Sequence, residues 1–209
     1  HCRSGGDTVA VRADRIVPGV VPKRTSDAKK SGKRRAMKAG AAGTRKGTAT
    51  HKPTRIPDGF VLVIDTREQR PLFDGRNDIP VEHRVLHDGD YSVSGYETLI
   101  IVERKKLSDF LSYVGKERVT KTIPKLCRLS AARFAALIIE EDERKLDGPF
   151  THSKLTGEHV RAFLLSCRVR YGIHVYISKD RAALERFVLD HCVKAWSIIQ
   201  EEGAHNVEQ

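Results

Sequence analysis

Four residues at particular spacings in this sequence can do chemistry together. Glu103 and Lys105 stand two apart in Thr98 to Lys105 (TLIIVERK), a stretch that is apolar until it ends in charge. On a β-strand, residues two apart share a face, so a carboxylate and an amine project side by side while Arg104 points away. Asp90 follows Gly89 at the start of the preceding strand, and antiparallel pairing can set it opposite Glu103. Asp65 ends another apolar run and joins them if that strand is a neighbour. A hard cation such as Mg²⁺ takes carboxylate and water oxygens and commonly needs one or two carboxylates plus a substrate phosphate. An adjacent lysine can orient the attacking water or stabilise transition-state charge. A charge run at a strand end also fits a plain solvated edge, and spacing alone leaves both readings open.

The surrounding elements must position these groups. Phe60 to Ile64 reads as a buried strand ending at Asp65, because it is a β-branched apolar run bounded by Asp58-Gly59. A loop with Pro71 and Gly75 leads to a strand over Val81 to His87 and the turn Asp88-Gly89-Asp90. A third strand begins near Tyr91, turns at Gly95, and pairs with Thr98 to Lys105 as a hairpin. The spacing of Leu107, Phe110, Leu111 and Val114 then predicts a helix ending by Gly115. Residues 116 to 133 predict another helix, interrupted or begun afresh at Pro124, followed by a buried strand over Phe134 to Ile139. A helix over Thr156 to Tyr171, a strand over His174 to Ser178 and an amphipathic helix over Arg181 to Gln200 complete the chain. Strands alternating with helices indicate an α/β sandwich, a mixed sheet covered on both faces.

Charge divides the sequence in two. Residues 1 to 60 hold 15 Lys and Arg against 4 Asp and Glu, whereas residues 61 to 209 hold 23 of each. From Pro22 to Pro57 almost no large apolar residue occurs, so residues 1 to 57 are expected to form a disordered basic tail before a folded domain at 58 to 209. A polycation favours nucleic acid as partner, an acidic membrane surface less so. The only methionine is Met37, and nothing specific is assigned to residues 1 to 36. Cys2, Cys127, Cys167 and Cys192 lack zinc-type spacing and read as reduced thiols, which suggests a cytosolic or nuclear compartment. No apolar run approaches the roughly 20 residues of a membrane span. No Gly-rich phosphate loop suggests ATP hydrolysis. His83 and His87, at i and i+4 of one expected strand, fall roughly 13 Å apart, too far to share a metal. Tyr171 and Trp196 fit core packing better than base stacking.

Gly89-Asp90, Glu103-Arg104-Lys105 and Asp109 resemble the G-D-x(n)-E-R-K-x3-D motif of the XPF-type structure-specific endonucleases. Ile64-Asp65-Thr66-Arg67-Glu68 with Pro71 and Phe73 resembles the same family's upstream strand and loop. Arg118, the Leu137 to Glu141 strand and Arg170 to Val175 resemble its later segments, so the likeness runs over about residues 60 to 200. The resemblance implies a restriction-endonuclease-like α/β core, Mg²⁺ or Mn²⁺ dependence, and incision of branched, flapped or forked DNA in repair or recombination. It implies Asp65, Asp90 and Glu103 as metal ligands, Lys105 as the catalytic lysine, and Arg67, Arg104 and Asp109 as supporting residues. The twelve residues between Asp90 and Glu103 exceed the usual family spacing, which suggests a longer hairpin tip at Gly95. No helix-hairpin-helix or helicase segment accompanies the nuclease region, so a homodimer or a nuclease partner stays open. The short architecture resembles bacterial or phage members and suggests a nucleoid-associated cytoplasmic protein, with a nuclear one as the alternative. A catalytically inactive DNA-binding scaffold is the competing function, and the intact acidic positions and lysine favour the enzyme over it.

Overall fold

The computed structural model describes residues 53–115, 118–151 and 153–205, with the side chains of 118, 119 and 205 left aside. The expected disordered tail lies outside the described residues except for its last five positions. The described part is a six-stranded mixed sheet with helices on both faces, as the alternation of patterns predicts.

The strands are β1 (Leu62–Asp65), β2 (Val81–Arg84), β3 (Tyr91–Val93), β4 (Ile100–Lys106), β5 (Phe134–Glu140) and β6 (His174–Ser178). Their spatial order is β2-β1-β3-β4-β5-β6. β3 runs antiparallel to β1 and β4, while β2 pairs parallel with β1 and β4, β5 and β6 are parallel to one another. Parallel strands in the middle of a sheet are covered on both sides and read as continuous apolar runs. β5 fits that rule, with Ala135 through Ile139 all buried.

The helices are α1 (Leu107–Val114), α2 (Ile123–Ala131), α3 (Gly157–Tyr171) and α4 (Arg181–His205). Alternation along the strands divides the core between the sheet's faces. On one face Ile64, Tyr91, Val102 and Ile138 pack with Leu184, Val188 and Cys192 of α4. On the other, Ile101, Leu137 and Ile139 pack with Phe110 of α1, Leu126 and Leu129 of α2, and Val160 and Phe163 of α3. Thr156 caps α3 by accepting from His159 N, and Gly172 ends it in the left-handed conformation. Tyr171 and Trp196 are partly buried against the core, as their patterns suggest.

Several boundaries differ from expectation. Phe60 is buried but lies before the ladder, in a turn where its N–H donates to Pro57 O. β2 stops at Arg84 instead of His87, because its partner β1 ends opposite it at Asp65. His83 and His87 therefore do not share a strand, and both are exposed. Residues 118–122 form a π-helical turn, and Pro124 sits in the first turn of α2, where its missing N–H costs no helical bond. A 3₁₀ turn over Glu143–Asp147 escapes the periodicity, and α4 continues to His205, where Arg133 pairs with Glu202. Cys167 and Cys192 are buried free thiols, as expected of them, and Cys2 lies outside the described residues. Among the described residues, no helix is long and apolar enough to cross a membrane.

Candidate active site

Strand register brings the three acidic residues into one row. Tyr91 pairs with Val102 in the β3–β4 ladder, so one step further Asp90 falls opposite Glu103, with Asp90 N–H donating to Val102 O at 2.8 Å. Ile64 pairs with Tyr91 between β1 and β3, and one step on Asp65 falls opposite Asp90, its N–H donating to Asp90 O at 3.0 Å. Ile64, Tyr91 and Val102 all belong to the α4-side core, so alternation turns Asp65, Asp90 and Glu103 to the opposite face. Gly89 makes this possible. Its φ is +82°, and a Cβ there would stand 2.5 Å from Ile101 Cγ2 and 3.1 Å from Val102 O. Only glycine both adopts that backbone and lets the turn lie against β4.

Glu103 is the centre of the group and is fully buried. Its Oε1 is in ion pairs with Lys105 and with Lys125 of α2, the latter at 2.7 Å, and accepts from the Tyr113 hydroxyl of α1 at 3.2 Å. Its Oε2 is buried with no partner. Asp90 Oδ2 accepts the backbone N–H of Arg104 at 2.6 Å. Burial first, and the neighbouring Glu103 charge second, raise the Asp90 carboxyl to about 7. Two carboxylates thus share one space, Glu103 fully buried and Asp90 half-buried. Burial pulls Lys105 down, but the charge of Glu103, with Tyr113 and Asp90, overcomes it and leaves the lysine above its ordinary value. It also donates to Arg104 O at 3.2 Å and lies 5.3 Å from the Tyr113 ring centroid.

Asp65 is engaged differently. Its carboxylate accepts from Arg67 N at 2.8 Å and from Arg67 Nε and Nη2, and these bonds hold it below the usual carboxylate range against the effect of burial. Among the described residues no three Asp, Glu, His or Cys side chains converge as a ready metal cage. The backbone aligns Asp65 with Asp90 and Glu103, but its carboxylate is turned to Arg67, whose side chain is 62% exposed.

Arg104 lies on the other face of β4, as alternation requires. Its guanidinium is 4% exposed and donates to Glu68 Oε1 at 2.9 Å, to Arg70 O at 3.2 Å and to Glu140 Oε2. Arg181 at the start of α4 completes the brace through Glu140 Oε1 at 3.1 Å and Pro71 O at 2.9 Å. Asp109 is exposed in the first turn of α1, where its carboxylate accepts from Ser108 Oγ at 3.3 Å, and it is not brought to the acidic row. Tyr113, Lys125 and the pair of Arg128 with Asp88 at 3.0 Å were not singled out from sequence. The available signal was the i, i+4, i+7 spacing of Lys121, Lys125 and Arg128, a basic stripe beside the buried Leu126 and Leu129.

The fit to a divalent cation rests on the buried, unpartnered Glu103 Oε2 beside a second carboxylate that burial and like charge disfavour. Hard cations seek that donor set. A cavity of about 710 Å³ opens beyond the end of β4 between Lys106, Ser108, Glu140 and Lys179, and none of Asp90, Glu103 or Lys105 lines it.

Residues 64–190 match the family model of the ERCC4 domain, more than half of the chain. The chain belongs to the ERCC4 domain family. Among solved structures, XPF from Aeropyrum pernix in complex with DNA aligns with this ERCC4 domain at TM-score 0.50 and 22% identity, over 63% of this chain and 62% of that one. A second structure of XPF from Aeropyrum pernix aligns at TM-score 0.49 and 24% identity, over 61% and 59%. The chain spans about three fifths of the length of these structures. At such identity the likeness establishes the fold, which is the XPF nuclease fold. Comparison with curated proteins gave no match.

Proposed function

We propose that this ERCC4 domain is a divalent-metal-dependent endonuclease that hydrolyses DNA phosphodiester bonds at branched, flapped or forked structures. The observation that carries the reading is the pair of half-buried Asp90 and fully buried Glu103, with Glu103 Oε2 lacking any donor while two ammonium groups stand on Oε1. Family membership and the DNA-bound structural neighbour support nucleic acid as the substrate. Asp90 and Glu103 would hold Mg²⁺ or Mn²⁺, and Asp65 joins them when the exposed Arg67 exchanges it for a phosphate. A bound cation supplies charge neutralisation on the phosphate and a more acidic water. Lys105 acts as a cation: Glu103 and Asp90 keep it protonated at neutral pH, so it orients the nucleophile or stabilises developing negative charge and does not take a proton. Arg104 is a positioning residue that fixes the segment bearing Arg67. The basic stretch before residue 58 adds sequence-independent phosphate contacts. A homodimer or a nuclease partner is the proposed assembly.

The test is incubation of the full chain with flap, fork and duplex DNA, with and without Mg²⁺ or Mn²⁺, beside Glu103→Gln. Metal-dependent cutting of junction DNA that is lost in Glu103→Gln, with folding and DNA binding retained, is the expected result. Near-parental cutting by Glu103→Gln refutes the site.

A further inference from the structure

Glu103 carries more positive neighbours than its geometry requires. Lys105, Lys125 and Tyr113 all address Oε1 while Oε2 has no partner. A carboxylate held by Lys105 and the Tyr113 hydroxyl is already charge-compensated on that oxygen. Lys125 is the surplus partner, and the three differ in how they are held. Lys105 is 18% exposed, anchored on β4 itself, bonded to Arg104 O and set over the Tyr113 ring. Lys125 reaches in from α2, is 25% exposed, and among the described residues has Glu103 as its one partner. Its flexible stem has a way out to solvent.

Resting on the metal-nuclease reading, we propose that Lys125 is the displaceable counter-ion of the site. It holds Glu103 oriented before the metal enters, competes with the cation for that carboxylate, and on release offers its ammonium to a backbone phosphate of the bound nucleic acid. The neighbouring Arg128, on the same stripe of α2 and 49% exposed, pairs with Asp88 at 3.0 Å and gives that stripe a second cation. The cation and the lysine serve the same carboxylate in turn, so Glu103 keeps a positive partner throughout while the ammonium is gained at the substrate. Metal binding and DNA binding are thereby coupled through one side chain.

The experiment uses the full chain as wild type, Lys125→Met, which keeps the stem and removes the charge, Lys125→Arg and Glu103→Gln. Mn²⁺ binding without DNA is followed by paramagnetic resonance, and binding of a short duplex is followed in Ca²⁺ over a salt series. Removing the competing ammonium is expected to tighten Mn²⁺ on the order of two- to fivefold in Lys125→Met, the range of one partly exposed ion pair. Lys125→Arg should stay near wild type. DNA affinity of Lys125→Met should fall, and its slope of log affinity against log salt should drop by about 0.9, one phosphate contact. A structural role alone would not tighten the metal. Unchanged or weaker Mn²⁺ affinity in Lys125→Met, with wild-type circular dichroism, overturns the counter-ion role. Mn²⁺ binding that is present in wild type and lost in Glu103→Gln upholds the metal reading whatever Lys125→Met does. Absence of Mn²⁺ binding in every variant overturns both.

Discussion

Replacing Asp90 by Asn should stabilise the metal-free protein while abolishing cleavage. The Asp90 carboxyl is raised from 3.8 to about 7 by burial and by Glu103. A group whose native value lies above its unfolded value stabilises the fold fully below the unfolded value. That stability is lost as pH rises from about 4 through about 7, because the unfolded chain releases the proton first. A tenfold change in proton affinity corresponds to about 1.4 kcal/mol, so the rise sets an upper bound of about 4 kcal/mol on the cost of ionising Asp90 in the folded state. Water entry and relaxation around the turn reduce this to about 2 kcal/mol. Asn keeps an oxygen to accept the Arg104 N–H and carries no charge to repel Glu103. At roughly 2–4 °C per kcal/mol for a domain of this size, Asp90→Asn should melt about 4–8 °C above wild type at pH 8 in EDTA. The gap should close progressively below pH 7 and vanish only below about pH 4. Added Mn²⁺ should raise only the wild type, since ligand binding to the native state adds stability. Melting curves for both proteins over this pH range are the assay. A variant equal to or less stable than wild type at pH 8, with a pH-independent difference, would refute the strained-carboxylate argument.

Three further outcomes are expected. Lys105→Ala should leave Mn²⁺ binding in place and slow the chemical step by about 10²–10³, read from single-turnover cleavage at saturating metal; equal rates refute its role. Gly89→Ala should destabilise the fold by about 2–4 kcal/mol through the positive φ and the approach to Ile101 and Val102, measured by urea denaturation, and cleavage should fall with the displaced Asp90. Deleting residues 1 to 57, which hold 15 Lys and Arg, should flatten the salt dependence of DNA affinity while cleavage at saturating DNA stays nearly unchanged; coincident salt slopes would show that this stretch does not contact DNA.

The parts of the fold that followed from sequence are those in which one local pattern decides the outcome. β6 and the start of α4 fall where periodicity places them, and the Gly89-Asp90 and Glu103 pairing follows from a hairpin closed at Gly95. β2 was overextended because the limit is set by a partner, β1, that stops at Asp65, and no local feature of Val85 to His87 reports it. Tyr113 and Lys125 escaped because they arrive from helices packed on the sheet, and their meeting with Glu103 depends on tertiary geometry. Asp65 shows the reverse case. Its strand position was legible, but its carboxylate is drawn to Arg67 two residues on, a local ion pair that competes with the expected metal role.

The triplet Glu103-Arg104-Lys105 is one short run that serves two opposite faces of the sheet. Alternation sends Glu103 and Lys105 toward Asp90, where two carboxylates repel, and Arg104 toward α4, where its charge meets two carboxylates. The Arg104 fork ties Glu68 and Arg70 of the segment after β1 to Glu140 at the end of β5, and Arg181 joins the same segment to α4. Lysine could not replace it, because a single ammonium lacks the planar fork that spans two carboxylates and a carbonyl. The brace and the reactive pair share a backbone, so any shift of Arg104 moves the N–H that Asp90 accepts. A buried reactive group needs a rigid support, and here the support is the residue between its two members. That arrangement explains why the charged residues occur as an unbroken run: the spacing that puts carboxylate and lysine on one face leaves a single position, on the other face, for the arginine that holds them there.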